Sequence, residues 1–359
     1  MRCTYNTAIS NMNNLFVCHT QAHLIFACGL SKGRFKEDKN HLVLFKDFNL
    51  NEEMRSKLES FFDSTLFLTG CYPASNKRIS KRISIYLENK KKIKDFITCS
   101  YDRVFVVCDS FYPVMYCMKR CIKQNPNVEF SWLGDGILPY FQNTTAKTGL
   151  GKNEGTQFLR KILFKYILGL GKVYDFDFHL MGGNKLAKSI YVTIPQSVRP
   201  PYNSKKIVEI TSDEFTRGIQ SLYESKPIDI ENGSVLLIID KLATYQNPEA
   251  MKECLRLFIG ENKQAGRKIY CKFHPREEQT WEVFKDCVVL DKNIGAESLY
   301  LSLLDYRDNI EIVGVKSAGL MNAKKLGFNV TTLFNGCGEE NADLVKFFTS
   351  MGCNFWKHE

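Results

Sequence analysis

The sequence lacks a long hydrophobic run. The nearest candidate, residues 158–170, is interrupted by Arg160, Lys161 and Lys165, whereas a membrane-spanning helix needs about 20 mostly apolar residues. We therefore expect a soluble or peripheral protein and not an integral one. The mixture of bulky apolar and basic residues in this segment favours a core helix with a basic edge over a helix that lies in a membrane interface.

Glycine motifs for nucleotide phosphates are missing as well. Neither the G-x-G-x-x-G pattern of dinucleotide-binding domains nor the G-x-x-x-x-G-K-[ST] pattern of P-loop proteins occurs. We also find no internal repeat at a fixed period and no low-complexity tract. These absences exclude the two commonest phosphate-binding loops and any repeat architecture.

A metal-binding framework is not evident either. Cys117 and Cys121 are one helical turn apart, but no second cysteine pair completes a site. Asp175 and Asp177 resemble a metal-binding D-x-D motif, yet their alternation with Phe176 favours a strand with one polar face. We expect no metal site.

The 13 cysteines do not predict a disulfide framework. Cys18, Cys108 and Cys271 lie inside apolar runs, where cysteine behaves as a small buried hydrophobic residue. The count is odd and no secretory signal precedes the first apolar run, so we expect free thiols and a reducing, cytoplasmic compartment.

Basic residues outnumber acidic ones, with 49 Lys and Arg against 39 Asp and Glu, a formal charge of 49 − 39 = +10. Such a surface favours anionic partners: nucleotides, nucleic acid, acidic glycans or anionic lipid. Residues 76–94 hold eight basic side chains and one acid, Glu88. We interpret this segment as a solvated helix face, with an anionic acceptor or membrane surface as the alternative.

The length of 359 residues suggests two domains. Short apolar runs alternate with helical segments in both halves, which is typical of βαβ units and mostly parallel sheets. Residues 195–204 contain three prolines and form a linker candidate. The sequence thus predicts an α/β protein with Rossmann-like domains at 1–205 and 206–359, facing each other across a central cleft.

Polar side chains follow three of the predicted strands, where α/β sheets bind ligands. Asp135 follows the strand at 128–132 and stands between Gly134 and Gly136, which suits a general base that reaches into a cleft, although Asp-Gly is also common in simple turns. His274, followed by Pro275, comes after the strand at 268–273. A histidine there can protonate or hydrogen-bond a phosphate, unless it is a surface residue before a helix start.

The third position is Ser317, which follows the strand at 310–313 and opens a helix. Free N–H groups at a helix N-terminus bind anions, and the serine adds a hydroxyl donor. An ordinary serine N-cap is the alternative interpretation.

Taken together, these motifs resemble those of bacterial sialyltransferases. The similarity rests on G-D-G at 134–136, on K-x-H-P-R-E at 272–277, on Ser317 some forty residues later, and on the opening F-V-C-H-T-Q at 16–21. It is strongest toward the lipooligosaccharide and capsule sialyltransferases, with the related polysialyltransferases behind them.

The resemblance implies a GT-B fold and metal-independent, inverting transfer of sialic acid from CMP-sialic acid, with no cofactor beyond that donor. By the same resemblance, Asp135 is the general base, and His274 stabilises and protonates the departing phosphate. Glu297 is implied to bind the CMP ribose and Ser317 the phosphate. The implied donor-binding residues are Thr20, Gln21, Gly136, Lys272, Pro275, Glu297, Ser317 and Ala318.

Two positions depart from the family pattern. Gly134 stands where the family often has a second acid, and Ala318 follows Ser317 where the family has a second hydroxyl. The first departure can alter the pKa or the orientation of the base, and the second leaves one hydroxyl fewer for phosphate. The expected base and acid are both present.

The sequence therefore predicts a cytoplasmic enzyme that sialylates a terminal sugar, galactose above all, of a bacterial lipooligosaccharide or capsule. A lipid-linked acceptor and peripheral membrane association remain open, as do linkage and oligomeric state. The alternatives are a polysialyltransferase or capsule polymerase, another GT-B glycosyltransferase, and, from a different class, a basic nucleic-acid-binding protein. No stacking-aromatic RNA motif is evident, so we expect no nucleic-acid partner.

Overall fold

The computed structural model describes residues 11–70, 79–109, 111–134, 136–140, 161–174, 182–225, 228–242, 245–275, 277–278, 281–292, 294–334 and 341–357. The chain divides into two units. The N-terminal unit takes its residues from 1–138, 142–192 and 200–222, and the C-terminal unit from 139–141, 193–199 and 223–359.

A parallel sheet forms the core of the N-terminal unit. Its strands are β1 (Asn13–Cys18), β2 (Lys39–Lys46), β3 (Ser64–Thr69), β4 (Arg103–Val106), β5 (Glu129–Leu133), β6 (Ala187–Val192) and β7 (Lys206–Glu209), in the spatial order β3-β2-β1-β4-β5-β6-β7. All the neighbouring pairs run parallel. The central strand β1 is buried beyond its first residue, as expected for a parallel sheet covered on both faces.

Helices connect the first five strands, and a further helix follows β7. They are α1 (Gln21–Lys32), α2 (Glu52–Phe61), α3 (Ile79–Phe96), α4 (Tyr112–Gln124) and α5 (Ser212–Leu222). Side-chain caps fix two of the starts, because Asn51 accepts a hydrogen bond from the N–H of Met54 and Thr20 accepts one from the N–H of His23. Strand β7 and helix α5, which follow the predicted boundary at 205/206, lie in the N-terminal unit. There β7 pairs with β6 and α5 packs on α1.

The C-terminal unit has the same architecture with six strands. They are β8 (Val235–Ile239), β9 (Ile269–Phe273), β10 (Val288–Val289), β11 (Glu311–Gly314), β12 (Asn329–Thr332) and β13 (Asn354–Phe355), in the order β10-β9-β8-β11-β12-β13, all parallel. The helices are α6 (Pro248–Gln264), α7 (Ala296–Ser302), α8 (Ala318–Lys325) and α9 (Ala342–Ser350). Two α/β units with parallel sheets confirm the fold class predicted from the sequence.

The segment at 158–170 differs from its prediction. Residues 151–160 lie outside the described residues, and Ile162–Ile167 forms a π-helical turn without a buried side chain. The expected core helix with a basic edge is therefore wrong, because Leu163, Tyr166 and Ile167 are exposed. No helix within the described residues is both long and apolar enough to cross a membrane.

The cysteines largely follow the expectation from the sequence. Cys18 and Cys271 are buried free thiols, and Cys108 is a half-buried one. Cys254, however, is disulfide-bonded, so the expectation of free thiols throughout is wrong at this position.

Candidate donor-binding site

The carboxyl edge of the C-terminal sheet gathers most of the residues that the sequence singled out. Strands β9, β8 and β11 are neighbours in that order, so the segments that follow them lie side by side. The crossover direction reverses between β8 and β11, and α/β sheets bind ligands outside the strand ends at such a reversal. Asp240, His274 and Ser317 stand in these three segments.

His274 is exposed, while its backbone is held on both sides. Its N–H donates to the carbonyl oxygen of Ile239 at 3.0 Å, and its carbonyl accepts the N–H of Glu277 at 2.9 Å. Pro275 is exposed as well. The turn thus fixes the backbone of His274 at the end of β9 and leaves the imidazole at the surface.

Glu277 holds this turn, and sequence reasoning missed that role. Its side chain is 6% exposed, and its carboxylate accepts the N–H groups of Leu242 at 2.6 Å and Glu278 at 2.9 Å. The first bond ties the turn after β9 to the segment after β8. Residues 277–278 are not helical, so no helix begins at Glu277. The sequence signal for this role was the place of Glu277 at the end of the K-x-H-P-R-E motif at 272–277.

Lys272, on β9, is buried and faces backbone oxygens. Its ammonium donates to the carbonyl oxygens of Phe273 at 2.6 Å and Lys292 at 3.1 Å. Burial lowers the pKa of Lys272, and the nearby carboxylates of Asp291 and Glu297 oppose that shift. The lysine therefore joins the end of β9 to the loop before α7 and places positive charge near Glu297.

Glu297 stands in the first turn of α7 and accepts a hydrogen bond from the side-chain amide of Asn322 at 2.8 Å. Burial and the Glu297 carboxylate together raise the pKa of Tyr223. A second link joins α7 to α8, since the hydroxyl of Tyr300 donates to the carbonyl of Gly319 at 3.1 Å. Asn322 and Tyr300 thus fix Glu297 relative to the start of α8.

Ser317 is the N-cap of α8, and its hydroxyl accepts the N–H of Gly319 at 3.2 Å. Ala318 is the first helical residue. The N–H of Lys316 donates to the Asp240 carboxylate at 3.4 Å. The interpretation of Ser317 as an N-cap is therefore confirmed, and an anion-binding role remains a prediction.

The residues of the N-terminal unit lie at the end of β1, where its sheet also reverses its crossover direction between β1 and β4. Thr20 is the N-cap of α1 and Gln21 its first residue. The Nδ1 atom of His23 accepts the N–H groups of His19 at 3.1 Å and Thr20 at 3.2 Å. Because Nδ1 accepts two N–H groups, it carries no proton. His19 itself lies 3.0 Å from the Asp47 carboxylate.

Asp135 lies outside the described residues, so its role as a base stays a prediction. Both flanking glycines are described. The N–H of Gly134 donates to the carbonyl of Tyr191 at 2.9 Å, and Gly136 has a φ of +59°, in the left-handed region that favours glycine. The chain therefore leaves β5 beside β6 and turns directly after Asp135.

Asp109, three residues beyond β4, is a buried carboxylate that the sequence did not single out. It accepts the N–H groups of Gly182 at 2.8 Å and Asn184 at 2.7 Å. Burial raises the pKa of Asp109 to about 6, although the two N–H groups and Lys205 oppose the shift. An acid at the end of the apolar run 104–108 was the available signal.

A cavity of about 630 Å³ lies on the N-terminal sheet. Its lining includes Arg103, Glu129 and Lys206, which begin β4, β5 and β7. It therefore opens at the amino ends of the strands, opposite the edge that carries the candidate residues. We do not assign the donor to this cavity.

Metal ligands do not cluster in the described part of the chain, where no three His, Cys, Asp or Glu side chains converge as a metal site would require. Asp175 and Asp177 lie outside the described residues. Metal independence therefore stays a prediction.

Comparison with solved structures defines the class of fold. The chain is similar to the α/β-galactoside α-2,3-sialyltransferase of Photobacterium phosphoreum, with a TM-score of 0.55, 12% identity, and 95% of this chain and 97% of that one covered. It is also similar to the UDP-GlcNAc 2-epimerase of Methanocaldococcus jannaschii (TM-score 0.51, 12% identity, 93% and 91% covered). A UDP-glucosyltransferase from Polygonum tinctorium gives 0.51, 11% identity, and coverage of 89% and 79%. The fold is GT-B.

The family follows from the sequence itself. Residues 14–334 match the model of the alpha-2,8-polysialyltransferase family, and the chain belongs to that family. No curated protein matches the chain. The resemblance to bacterial sialyltransferases and the related polysialyltransferases is thereby confirmed.

Proposed function

We propose that the protein transfers sialic acid from CMP-sialic acid to a glycan, with inversion and without a metal ion. One observation carries this proposal: in a chain of the alpha-2,8-polysialyltransferase family, the positions that match the donor motifs gather at one edge of the C-terminal sheet. His274 follows β9, Glu297 lies in the first turn of α7, and Ser317 caps α8. CMP-sialic acid would bind there.

The proposed chemistry fits these residue types. The anomeric carbon of sialic acid is fully substituted, so the transition state is dissociative and cationic in character, and negative charge develops on the departing phosphate. A protonated His274 and the N–H groups that begin α8 would stabilise that charge. Asp135 would take the proton of the acceptor hydroxyl from the opposite face, which gives inversion. No divalent ion is then required.

The proposed acceptor is a terminal sugar of a bacterial surface glycan, galactose in a lipooligosaccharide or capsule. We place the reaction in the cytoplasm, with a lipid-linked acceptor at the inner face of the membrane. The family description favours a second candidate, the extension of an α-2,8-linked sialic acid polymer. In that case the acceptor is itself a sialylated, anionic chain.

The test is a product assay. The protein is incubated with CMP-sialic acid and a panel of galactosides and oligosialic acids, with and without EDTA, and products are identified by mass spectrometry. We expect acceptors to gain sialic acid while CMP is released, with no effect of EDTA. Serial addition to oligosialic acids, without reaction of galactosides, would select the second candidate. Inhibition by EDTA would point to Asp175 and Asp177.

A binding experiment separates the enzyme from the nucleic-acid-binding alternative. We expect CMP to raise the Tm of the protein and an RNA oligonucleotide of matched charge to leave it unchanged. The reverse pattern, together with no transfer in the product assay, would end the proposal.

A further inference from the structure

The π-helical turn Ile162–Ile167 exposes an apolar cluster. Leu163, Tyr166 and Ile167 are 41%, 67% and 70% exposed, and they account for three of the seven large hydrophobic side chains exposed in the described residues. Single exposed apolar residues are common on protein surfaces, whereas three within five residues form a candidate interaction surface.

Packing holds this turn in place. Phe164 contacts the rings of Tyr112 at 5.2 Å and Tyr174 at 5.4 Å between centroids. The N–H of Leu168 closes the turn on the carbonyl of Leu163 at 2.7 Å. Because Phe164 is anchored on α4, its apolar neighbours are directed away from the core by the fold itself.

Several lysines lie in or near the same stretch of chain. Lys161, Lys165 and Lys172 belong to the stretch 161–174, which contains no acid. Lys119 of α4 comes close as well, since its ammonium is 3.3 Å from the position that a Cβ at Gly169 would take. None of the four forms an ion pair with another part of the chain that the structure describes. Within the described residues, this surface therefore combines lysines that form no ion pair with exposed apolar side chains.

We propose that this surface docks on an anionic lipid bilayer. We name it the basic–apolar patch: Leu163, Tyr166 and Ile167 with Lys161, Lys165 and Lys172. Tyrosine places its ring at the level of the lipid headgroups, aliphatic side chains enter the acyl boundary, and lysines reach anionic headgroups. A second copy of this chain is a poor occupant, because two identical patches would set like charges against each other.

The docking itself does not depend on the proposed function, but its purpose does. An enzyme that modifies a lipid-linked glycan gains by residing at the surface where its acceptor is held. The experiments below measure binding without donor or acceptor, so that a failure of docking and a failure of sialyl transfer are distinguished.

The first experiment is cosedimentation with vesicles of equal parts phosphatidylglycerol and phosphatidylcholine. We expect binding to these vesicles and none to phosphatidylcholine alone. The double variant Tyr166→Ser/Ile167→Ser should lose about tenfold or more of the partition coefficient, because it removes the apolar surface that enters the bilayer. Both side chains are exposed, so the fold should persist. The matched control is Val289→Ser/Tyr306→Ser, which removes exposed apolar groups from the C-terminal unit.

The second experiment tests the charge. Lys165→Gln/Lys172→Gln should weaken binding by about fivefold for each lysine, and added salt should weaken the wild type similarly. The control Lys252→Gln/Lys285→Gln removes the same charge from lysines that pair with Glu249 and Glu282. This control should bind within about twofold of the wild type.

A direct readout comes from Tyr166→Trp, whose added fluorescence should shift to shorter wavelength with the anionic vesicles. The proposal is overturned if the wild type does not bind these vesicles at low salt. It is also overturned if the control variants lose as much vesicle binding as the patch variants. It is also overturned if the wild type is a dimer without lipid and Tyr166→Ser/Ile167→Ser makes it monomeric. Patch variants that still sialylate a soluble acceptor would show that only docking was lost.

Discussion

The buried carboxylate of Asp109 shows how one residue can join distant parts of the chain. It is fully buried and receives two backbone N–H groups from 182–184, more than seventy residues later. Lys205 hydrogen-bonds the carbonyl oxygens of Asn184 and Ala187 nearby. The loss of water around Asp109 outweighs these favourable contacts, since its pKa is raised from 3.8 to about 6.

Stability should therefore depend on pH through Asp109. Because the folded state keeps the proton to higher pH than the unfolded chain, the stabilisation is complete below about pH 4, falls as the pH rises, and is lost above about pH 6. Asp109→Asn lacks this dependence. The unfolding free energy of the wild type minus that of the variant should thus decrease by roughly 2 kcal/mol between pH 4 and 7, measured by urea denaturation. A difference that stays constant over this range would contradict the assignment.

The residues that the sequence could and could not predict differ in a physical way. The positions of His274 and Ser317 at strand ends could be predicted, because strand ends are visible as the ends of apolar runs, where α/β sheets bind ligands. Their roles stay predictions. The roles of Glu277 and Asp109 were missed because each is decided by partners elsewhere in the chain: Leu242 for the first, and Gly182 and Asn184 for the second. The local sequence does not reveal which acidic residues will be buried in the folded protein.

Among the elements, the contact between α1 and α5 depends on two glycines. A Cβ on Gly29 would overlap the carbonyl oxygen of Glu214, and a Cβ on Gly218 would overlap that of Ile25. The backbones of the two helices approach each other directly at these points. This contact explains why α5 packs in the N-terminal unit although it follows the proline-rich segment.

Replacing Gly218 should measure that contact. Gly218→Ala should destabilise the protein by about 1–3 kcal/mol, because one helix must move away from the other. Gly260→Ala on α6 is the matched control, since a Cβ there meets nothing within 4 Å. That variant should be more stable by up to about 1 kcal/mol through helix propensity. Thermal unfolding followed by circular dichroism shows whether each variant is more or less stable than the wild type. A Gly218→Ala variant that is more stable would contradict the close approach of the two helices.

Helices were easier to predict than the π-helical turn. The sequence predicts helices near 113–124 and at about 247–264, and α4 and α6 match these bounds within a residue at each end. The stretch at 158–170 also mixes apolar and basic residues, but its conformation depends on the contacts of Phe164 with Tyr112 and Tyr174. Composition describes which side chains could be buried, whereas tertiary partners decide which are.

For the whole molecule, each unit has the same arrangement: a parallel sheet in which the crossover direction reverses beside the first strand of the unit. The reversal lies between β1 and β4 in one unit and between β8 and β11 in the other. Alternating apolar runs predicted both sheets, because buried parallel strands are continuously hydrophobic. The proposed reaction adds one requirement that does not follow from the fold. Asp135 from one unit and His274 from the other must act in the same sialyl transfer.

Kinetics can test that requirement with Asp135 and His274. In the proposed mechanism the acceptor loses its proton to Asp135 in the same transition state in which His274 supports the departing phosphate, so the two should behave as one catalytic set. Asp135→Ala should reduce transfer by about 10²–10⁴-fold or to background, with CMP affinity nearly unchanged in a calorimetric titration. His274→Ala should lower the rate strongly and weaken CMP binding. The double variant should be no slower than the slower single variant, as found when residues act as a unit.

Asp305→Ala serves as the control for this comparison, because it removes an exposed acid of the C-terminal unit. It should leave transfer and CMP affinity at wild-type values. Wild-type turnover in Asp135→Ala would refute the assigned base. Losses that multiply in the double variant would mean that the two residues act in separate steps, and the single transition state would then have to be abandoned even if sialic acid is still transferred.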